Sequence, residues 1–146
     1  MKTTRPNFLI INSDQHRADC LGHTSGGRVK TPALDRLAAK GMRFSNAITP
    51  IPLCCPARQS LLCSQMSERH GGITNYQMGH AVALFEPDRP LWPLLLAQAG
   101  YRNAYLGKWH VHPSRTPLDY GFHEYLGEER FPYYRGGKVD WSQPRN

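Results

Sequence analysis

Apolar and polar positions alternate along the chain in short, well-bounded clusters, each with its own period. Residues 7–12, Asn-Phe-Leu-Ile-Ile-Asn, form a continuous apolar run between polar ends, as in a parallel strand buried on both faces. Residues 31–41 carry a helical pattern with Leu34, Leu37 and Ala38 on a narrow apolar face. Thr31 fits the N-cap of that helix, Pro32 its first position and Gly41 the residue past its end. Residues 42–48 alternate as a strand does. From Ala57 a second helix is expected, with Pro56 in its first turn and Leu61 and Leu62 available for burial. Residues 67–72 read as a loop and residues 78–89 as irregular, the latter expected to border a substrate entrance. Residues 90–100 read as a third helix, which accepts Pro93 only in its first turn and ends at Gly100. A strand over residues 101–106 follows. Residues 123–146 are aromatic and charged without a clear period.

The 146 residues suffice for one core and are too few for two ordinary domains. No apolar run approaches the length of a membrane span, and Phe8-Leu9-Ile10-Ile11 is too short for the core of a signal peptide. A cytoplasmic chain with no membrane partner is expected. A formal charge of +7 raises the possibility of nucleic-acid binding. Lys and Arg are scattered, however, with no run of five, so a nucleic-acid partner is not expected. A basic surface also draws small anionic substrates. The four cysteines, two of them adjacent, make a poor disulfide framework and offer no zinc knuckle, which leaves reduced thiols.

The chemistry concentrates around residues 52–63, Pro-Leu-Cys-Cys-Pro-Ala-Arg-Gln-Ser-Leu-Leu-Cys. Cys54 stands just ahead of a helix N-terminus, where free N–H groups and the macrodipole favour an anion. Arg58 adds a fixed positive charge one turn on. A reactive side chain, an anion-binding helix end and an arginine point to a sulfate or phosphate ester. A Cys-x5-Arg phosphatase is excluded, because Ser60 and Leu61 stand where its arginine would be. Asp14 follows the first expected strand, at the edge where open α/β sheets bind ligands. Its carboxylate suits a hard cation; a turn or cap role is the alternative.

Cys54-x-Pro56-x-Arg58 followed by Leu61-Leu62 resembles the signature of the sulfatase family. Gly107-Lys108-Trp109-His110, at the end of the last expected strand, resembles a second segment of that family. The threonine-proline helix, His70-Gly71 and Asp119-Tyr120-Gly121-Phe122 also have counterparts in similar sulfatases. The resemblance implies an α/β fold, the N-terminal part of an alkaline-phosphatase-like sandwich with a mainly parallel sheet flanked by helices. All of residues 1–146 would then be the front portion of a sulfatase catalytic domain, inactive in isolation. It further implies that Cys54, rather than Cys55, is oxidised to formylglycine by a formylglycine-generating enzyme, the partner this motif requires. The reaction implied is hydrolysis of a small-molecule or saccharide sulfate ester.

In that pattern Arg58 holds and polarises the nucleophile, Lys108 contacts the sulfuryl group and His110 assists proton transfer. Asp14 and residue 54 would ligate a divalent metal, Ca²⁺ first, then Mg²⁺ or Mn²⁺. Trp109 and His70 are expected to be structural. Two departures stand out. Ser13 replaces the first of two acids common in relatives, and Asp14-Gln15 resembles the choline-sulfatase and phosphonate-monoesterase branch. Leu62-Cys63-Ser64 replaces the usual Leu-Thr-Gly. A phosphonate monoester or phosphodiester hydrolase is therefore one alternative, and an inactive relative that only binds is another. Asp119 and Asp140, the only aspartates after His110, have no His or Asn neighbour with which to complete a metal site.

Overall fold

The computed structural model of the protein describes residues 5–78 and 84–128. Asp140 and the tail, with part of the irregular stretch at 78–89, lie outside the described residues. The chain forms two compact units, Met1–Ala47 and Ile48–Asn146.

In the first unit, helix α1 spans Pro32–Lys40. Proline at its first position lacks only an N–H that would have no partner there. Thr31 is the N-cap residue, as expected, but its hydroxyl does not cap the helix. It accepts from the Gly22 N–H at 2.7 Å and donates to Asp35 Oδ1 at 3.1 Å. Asp35 also binds His23 Nδ1 at 2.9 Å, and that hydrogen bond, foremost, lowers the pKa of its carboxyl. Gly41 closes the helix in an extended conformation rather than a left-handed one. The expected apolar face is not covered, since Leu34 and Leu37 are both exposed.

Neither strand expected in this unit forms. Residues 7–12 and 42–48 lack regular structure, and Phe8, Leu9, Ile10, Ile11, Met42, Phe44 and Ile48 are exposed. A parallel central strand exists only between hydrogen-bonded neighbours. Among the described residues of this unit there is no other strand to pair with.

The second unit holds helices α2 (Cys54–Cys63), α3 (Ser67–His70) and α4 (Trp92–Gln98), and strands β1 (Ala104–Leu106) and β2 (Glu124–Leu126). Strands β1 and β2 pair in parallel with Ala104 opposite Glu124, Tyr105 opposite Tyr125 and Leu106 opposite Leu126. The class is α/β with a parallel pair. β2 arises where no period was visible. The loop expected at 67–72 contains the single turn α3, closed by Gly71 at φ 78°. Pro93 falls in the first turn of α4, as its missing N–H demands.

The core joins Leu62 and Cys63 of α2 to Phe85, Leu91, Trp109, Val111, Tyr120 and Phe122. Tyr105 meets Trp109 and Phe122 edge to face, each at 5.2 Å between ring centroids. Trp109 is thus packing, as expected, with its indole N–H donated to the Arg115 carbonyl at 2.8 Å. All four cysteines are free. Among the described residues no helix is long and apolar enough to cross a membrane.

His70 packs as the structural residue expected of it. Its Nδ1 accepts from the Gly72 N–H at 3.1 Å, so its proton sits on Nε2 and is donated to Ser60 Oγ at 2.8 Å. Burial, followed by the charge of Arg89, lowers its pKa below the ordinary 6.5. The unfolded chain therefore binds this proton more readily than the folded one, and the linkage has a definite sign. Stability is expected to fall as pH drops through 6.5 and to level off below the lowered folded value. Urea melts of wild type and His70→Gln across this window test it. A variant with the same acid slope as wild type would show that His70 contributes nothing.

Candidate active site

The site is built on the first turn of α2. Leu53, the N-cap residue, is extended at φ −115° and ψ 152° and offers no side-chain cap. Pro56 has no N–H to satisfy, and the Ala57 N–H already reaches the Leu53 carbonyl at 3.0 Å. The open donors of this turn are thus the N–H groups of Cys54 and Cys55. The helix starts at Cys54, not Ala57, so Cys54 lies in the first turn rather than just ahead of it. A proline tolerated anywhere in the first turn is the physical reason. The Cys55 N–H donates to Asn75 Oδ1 at 2.9 Å, a cap supplied from 20 positions along the chain.

The two adjacent thiols differ. Cys54 is half-buried and reachable, whereas Cys55 is fully buried. Desolvation, foremost, pushes the Cys55 thiol pKa up. Lys108 Nζ donates to Cys54 Sγ at 3.4 Å. The structure therefore brings together Cys54 and Lys108, which lie 54 positions apart.

Arg58, one turn on, binds the backbone that carries Lys108. Its Nη1 donates to the Lys108 carbonyl at 2.7 Å and to Tyr105 Oη at 3.1 Å. Tyr105 donates in turn to the same carbonyl at 2.6 Å. Burial, foremost, raises the Tyr105 pKa, which keeps this phenol a donor. The next residue of α2, Gln59, donates from Nε2 to the Val111 carbonyl at 2.9 Å. Two consecutive helix residues thereby hold both ends of the 108–111 loop.

The loop leaves β1 through Gly107 at φ 106°, whose N–H reaches the Leu126 carbonyl at 2.8 Å. Within it His110 is left-handed at φ 48°, a conformation that surrounding contacts must sustain in a residue other than glycine. The Tyr76 ring lies edge-on to the His110 ring at 5.1 Å. Beyond the loop, His112 Nδ1 accepts from the N–H groups of Ser114 and Arg115 at 3.2 and 3.0 Å. Arg115 pairs with Glu86 at 2.6 Å.

Asp14 lies in the first unit, on an exposed turn with Gln15 at φ 51°. The Ser13 hydroxyl lies 3.2 Å from His16 Nδ1. Asp119 closes a capping box with Thr116, whose N–H reaches Asp119 Oδ2 at 2.8 Å, so its role is local. Among the described residues no group of three or more His, Cys, Asp or Glu converges as a metal cluster. A hard cation takes oxygen ligands, which the Asp14 carboxylate offers and the Cys54 thiol does not. At the end of α2, Ser64 takes the left-handed conformation at φ 54°. Asn75, Tyr76, Tyr105 and Gln59 were not singled out from the sequence. No local spacing marks them, because each acts through a tertiary contact.

The model of the sulfatase family matches residues 6–141. The chain is 34% identical over 110 residues to an N-acetylglucosamine-6-O-sulfatase of Bacteroides thetaiotaomicron, covering 75% of this chain and 19% of that protein. It is 31% identical over 134 residues to an arylsulfatase of Clostridium perfringens, covering 92% and 26%. It is 35% identical over 131 residues to an N-acetylgalactosamine-6-sulfatase of Homo sapiens, covering 84% and 25%. A solved structure in complex with its substrate, D-glucosamine-2-N,6-O-disulfate, superposes with TM-score 0.70 at 31% identity, over 84% of this chain and 23% of that one. The chain thus spans 19–26% of the length of these curated relatives.

Proposed function

This chain belongs to the sulfatase family, and on that premise we propose that the full-length protein hydrolyses an organic sulfate ester, with residue 54 as the nucleophile position. The observation that carries the proposal is the Lys108 ammonium 3.4 Å from Cys54 Sγ at the mouth of α2. The sulfur marks where the reacting oxygen of a converted side chain would stand. Oxidation of Cys54 to formylglycine, by the enzyme that reads Cys-x-Pro-x-Arg, would supply a hydrated aldehyde. One of its oxygens attacks sulfur as the S–O bond to the alcohol breaks and the alcohol leaves. Its second hydroxyl then gives up its proton and expels sulfate, restoring the aldehyde.

Around that position each side chain has a proposed role. Lys108 neutralises charge that develops on the sulfuryl oxygens, and its placement follows from the Arg58 and Tyr105 bonds to its own carbonyl. Arg58 adds a charge held within one helical turn of residue 54. His110, in its left-handed pose, is the group for proton transfer. Asp14 is the carboxylate this chain would contribute to a divalent cation, with Ca²⁺ favoured over Mg²⁺ or Mn²⁺. Conversion of Cys54 would replace soft sulfur by oxygen, the donor such cations take, and so make residue 54 a fitting second ligand. Residues 1–146 would be the front portion of the catalytic domain, supplying the nucleophile position but only part of the metal site.

For the substrate we favour a saccharide sulfate, since relatives are named for sulfated amino sugars and one is solved with a glucosamine disulfate. Asp14-Gln15 supports kinship with the choline-sulfatase and phosphonate-monoesterase branch. One experiment tests residue and reaction together. After coexpression with a formylglycine-generating enzyme, an aldehyde-reactive label is expected on residue 54 and not on 55. Matched aryl sulfate and phosphonate esters are then compared, with the sulfate turned over faster and only when Cys54 is intact. A label on Cys55, no label at either position, or a preference for the phosphonate would overturn the reading.

A further inference from the structure

We propose that Asn75 is a positioning residue for the nucleophile: it caps the helix that carries residue 54 from outside that helix, and does so without charge. The inference rests on the functional reading above, but the geometry is independent of it. Helix α2 begins without a side-chain cap, because its N-cap residue is Leu53. Of the open donors in its first turn, the Cys55 N–H is taken by Asn75 Oδ1 at 2.9 Å. This bond fixes the backbone of the residue next to Cys54, and so fixes where side chain 54 points.

The neighbour of Asn75 extends the argument. Tyr76 places its ring edge-on to His110 at 5.1 Å. One short strap therefore meets both the nucleophile's helix and the candidate proton-transfer residue. Its entry is equally constrained. A Cβ added at Gly72 would lie 1.8 Å from Gln59 Oε1 and 2.9 Å from the His70 ring, so the strap is seated against α2 before it reaches Asn75.

Why an amide rather than a carboxylate? Aspartate is as good a helix cap as asparagine and is favoured by the dipole. Here it would set a negative charge beside the spot where an anionic ester must bind. An amide accepts the same hydrogen bond and leaves the positive potential of the helix mouth and Lys108 available to the substrate.

The test uses the full-length protein with Cys54 unconverted, and alkylation mapped to individual cysteines by peptide mass. Asn75→Ala is expected to open the first turn and raise the alkylation rate of buried Cys55 about fivefold, the size of a lost cap. Asn75→Asp is expected to keep Cys55 protected. It should, however, lower the ratio of iodoacetate to iodoacetamide reaction at Cys54 about fivefold, as one added negative charge at short range does. In converted enzyme the same variant should raise KM for an aryl sulfate more than it lowers kcat. Unchanged Cys55 protection in Asn75→Ala, loss of protection in Asn75→Asp, or an unchanged Cys54 ratio would each overturn the proposal. A wild type without Cys54-dependent hydrolysis would remove the functional reading, while the alkylation results would still decide the role of Asn75.

Discussion

Replacing Arg58 by methionine is expected to lower hydrolysis of an aryl sulfate by the full-length protein at least about a hundredfold, the loss typical of removing one preorganised donor from a charge-stabilising site. Methionine keeps an unbranched stem against α2 and deletes the guanidinium. The Lys108 carbonyl then loses a charge-assisted bond of 2.7 Å, and Tyr105 Oη loses one of 3.1 Å. Bonds of this kind contribute about 1.5–3 kcal/mol each. Lys108 keeps the Tyr105 bond to its carbonyl, so the loop should stay folded while its ammonium is less well held against residue 54. Arg58→Lys keeps the charge without the planar fork and is expected to fall between the two. Because Arg58 also belongs to the sequence read during conversion, kcat/KM must be divided by the formylglycine fraction found by mass spectrometry. A fully converted Arg58→Met enzyme with more than about a tenth of wild-type activity would reduce Arg58 to a scaffold residue, since that loss is below what an aimed donor contributes.

The candidate site was legible where its geometry is local. Pro56 and Arg58 mark a helix beginning beside Cys54, and the structure starts that helix three residues earlier than expected, at Cys54 itself. Gly107 to His110 was legible as a strand end followed by polar residues, and Lys108 does reach Cys54. What escaped was the part held by contacts between distant positions. Nothing near Leu53 announces that the cap of α2 comes from Asn75. Alternation marks Tyr105 as a strand residue but cannot say that its hydroxyl shares the Lys108 carbonyl with Arg58. The two strands expected before residue 49 show the opposite failure. Their composition is that of strands, but a strand is a relation between segments, and the described residues of the first unit hold no partner for either. β2 was missed for a kindred reason. Glu124, Tyr125 and Leu126 have no period of their own and become a strand by pairing in parallel with β1.

Gly121→Ala is expected to destabilise the second unit by more than about 3 kcal/mol, which would place it among the most damaging single-methyl additions to this chain. Two effects add. Gly121 has φ 90°, in the left-handed region where a side chain costs about 1–2 kcal/mol. Its new Cβ would also lie 2.6 Å from Leu94 N and 2.8 Å from Leu94 Cα and Pro93 C, all atoms of the first turn of α4. Backbone cannot rotate aside as a long side chain can, so either α4 or the 120–122 segment must move. Both are tied to one residue: Asn103 Nδ2 donates to the Pro93 carbonyl at 2.8 Å and to the Gly121 carbonyl at 2.9 Å. Displacing either end strains a buried amide just ahead of β1, the strand that leads into Lys108. Gly107→Ala is the control that separates the effects. Its φ is 106°, but nothing lies within 4 Å of the added Cβ, so only the conformational cost of about 1–2 kcal/mol remains. Urea denaturation of both variants, with the slope checked for two-state behaviour, makes the comparison. Equal losses in the two variants would show that contact with α4 adds nothing at Gly121. A loss below about 1 kcal/mol at Gly121 would show that this close approach is not part of the fold.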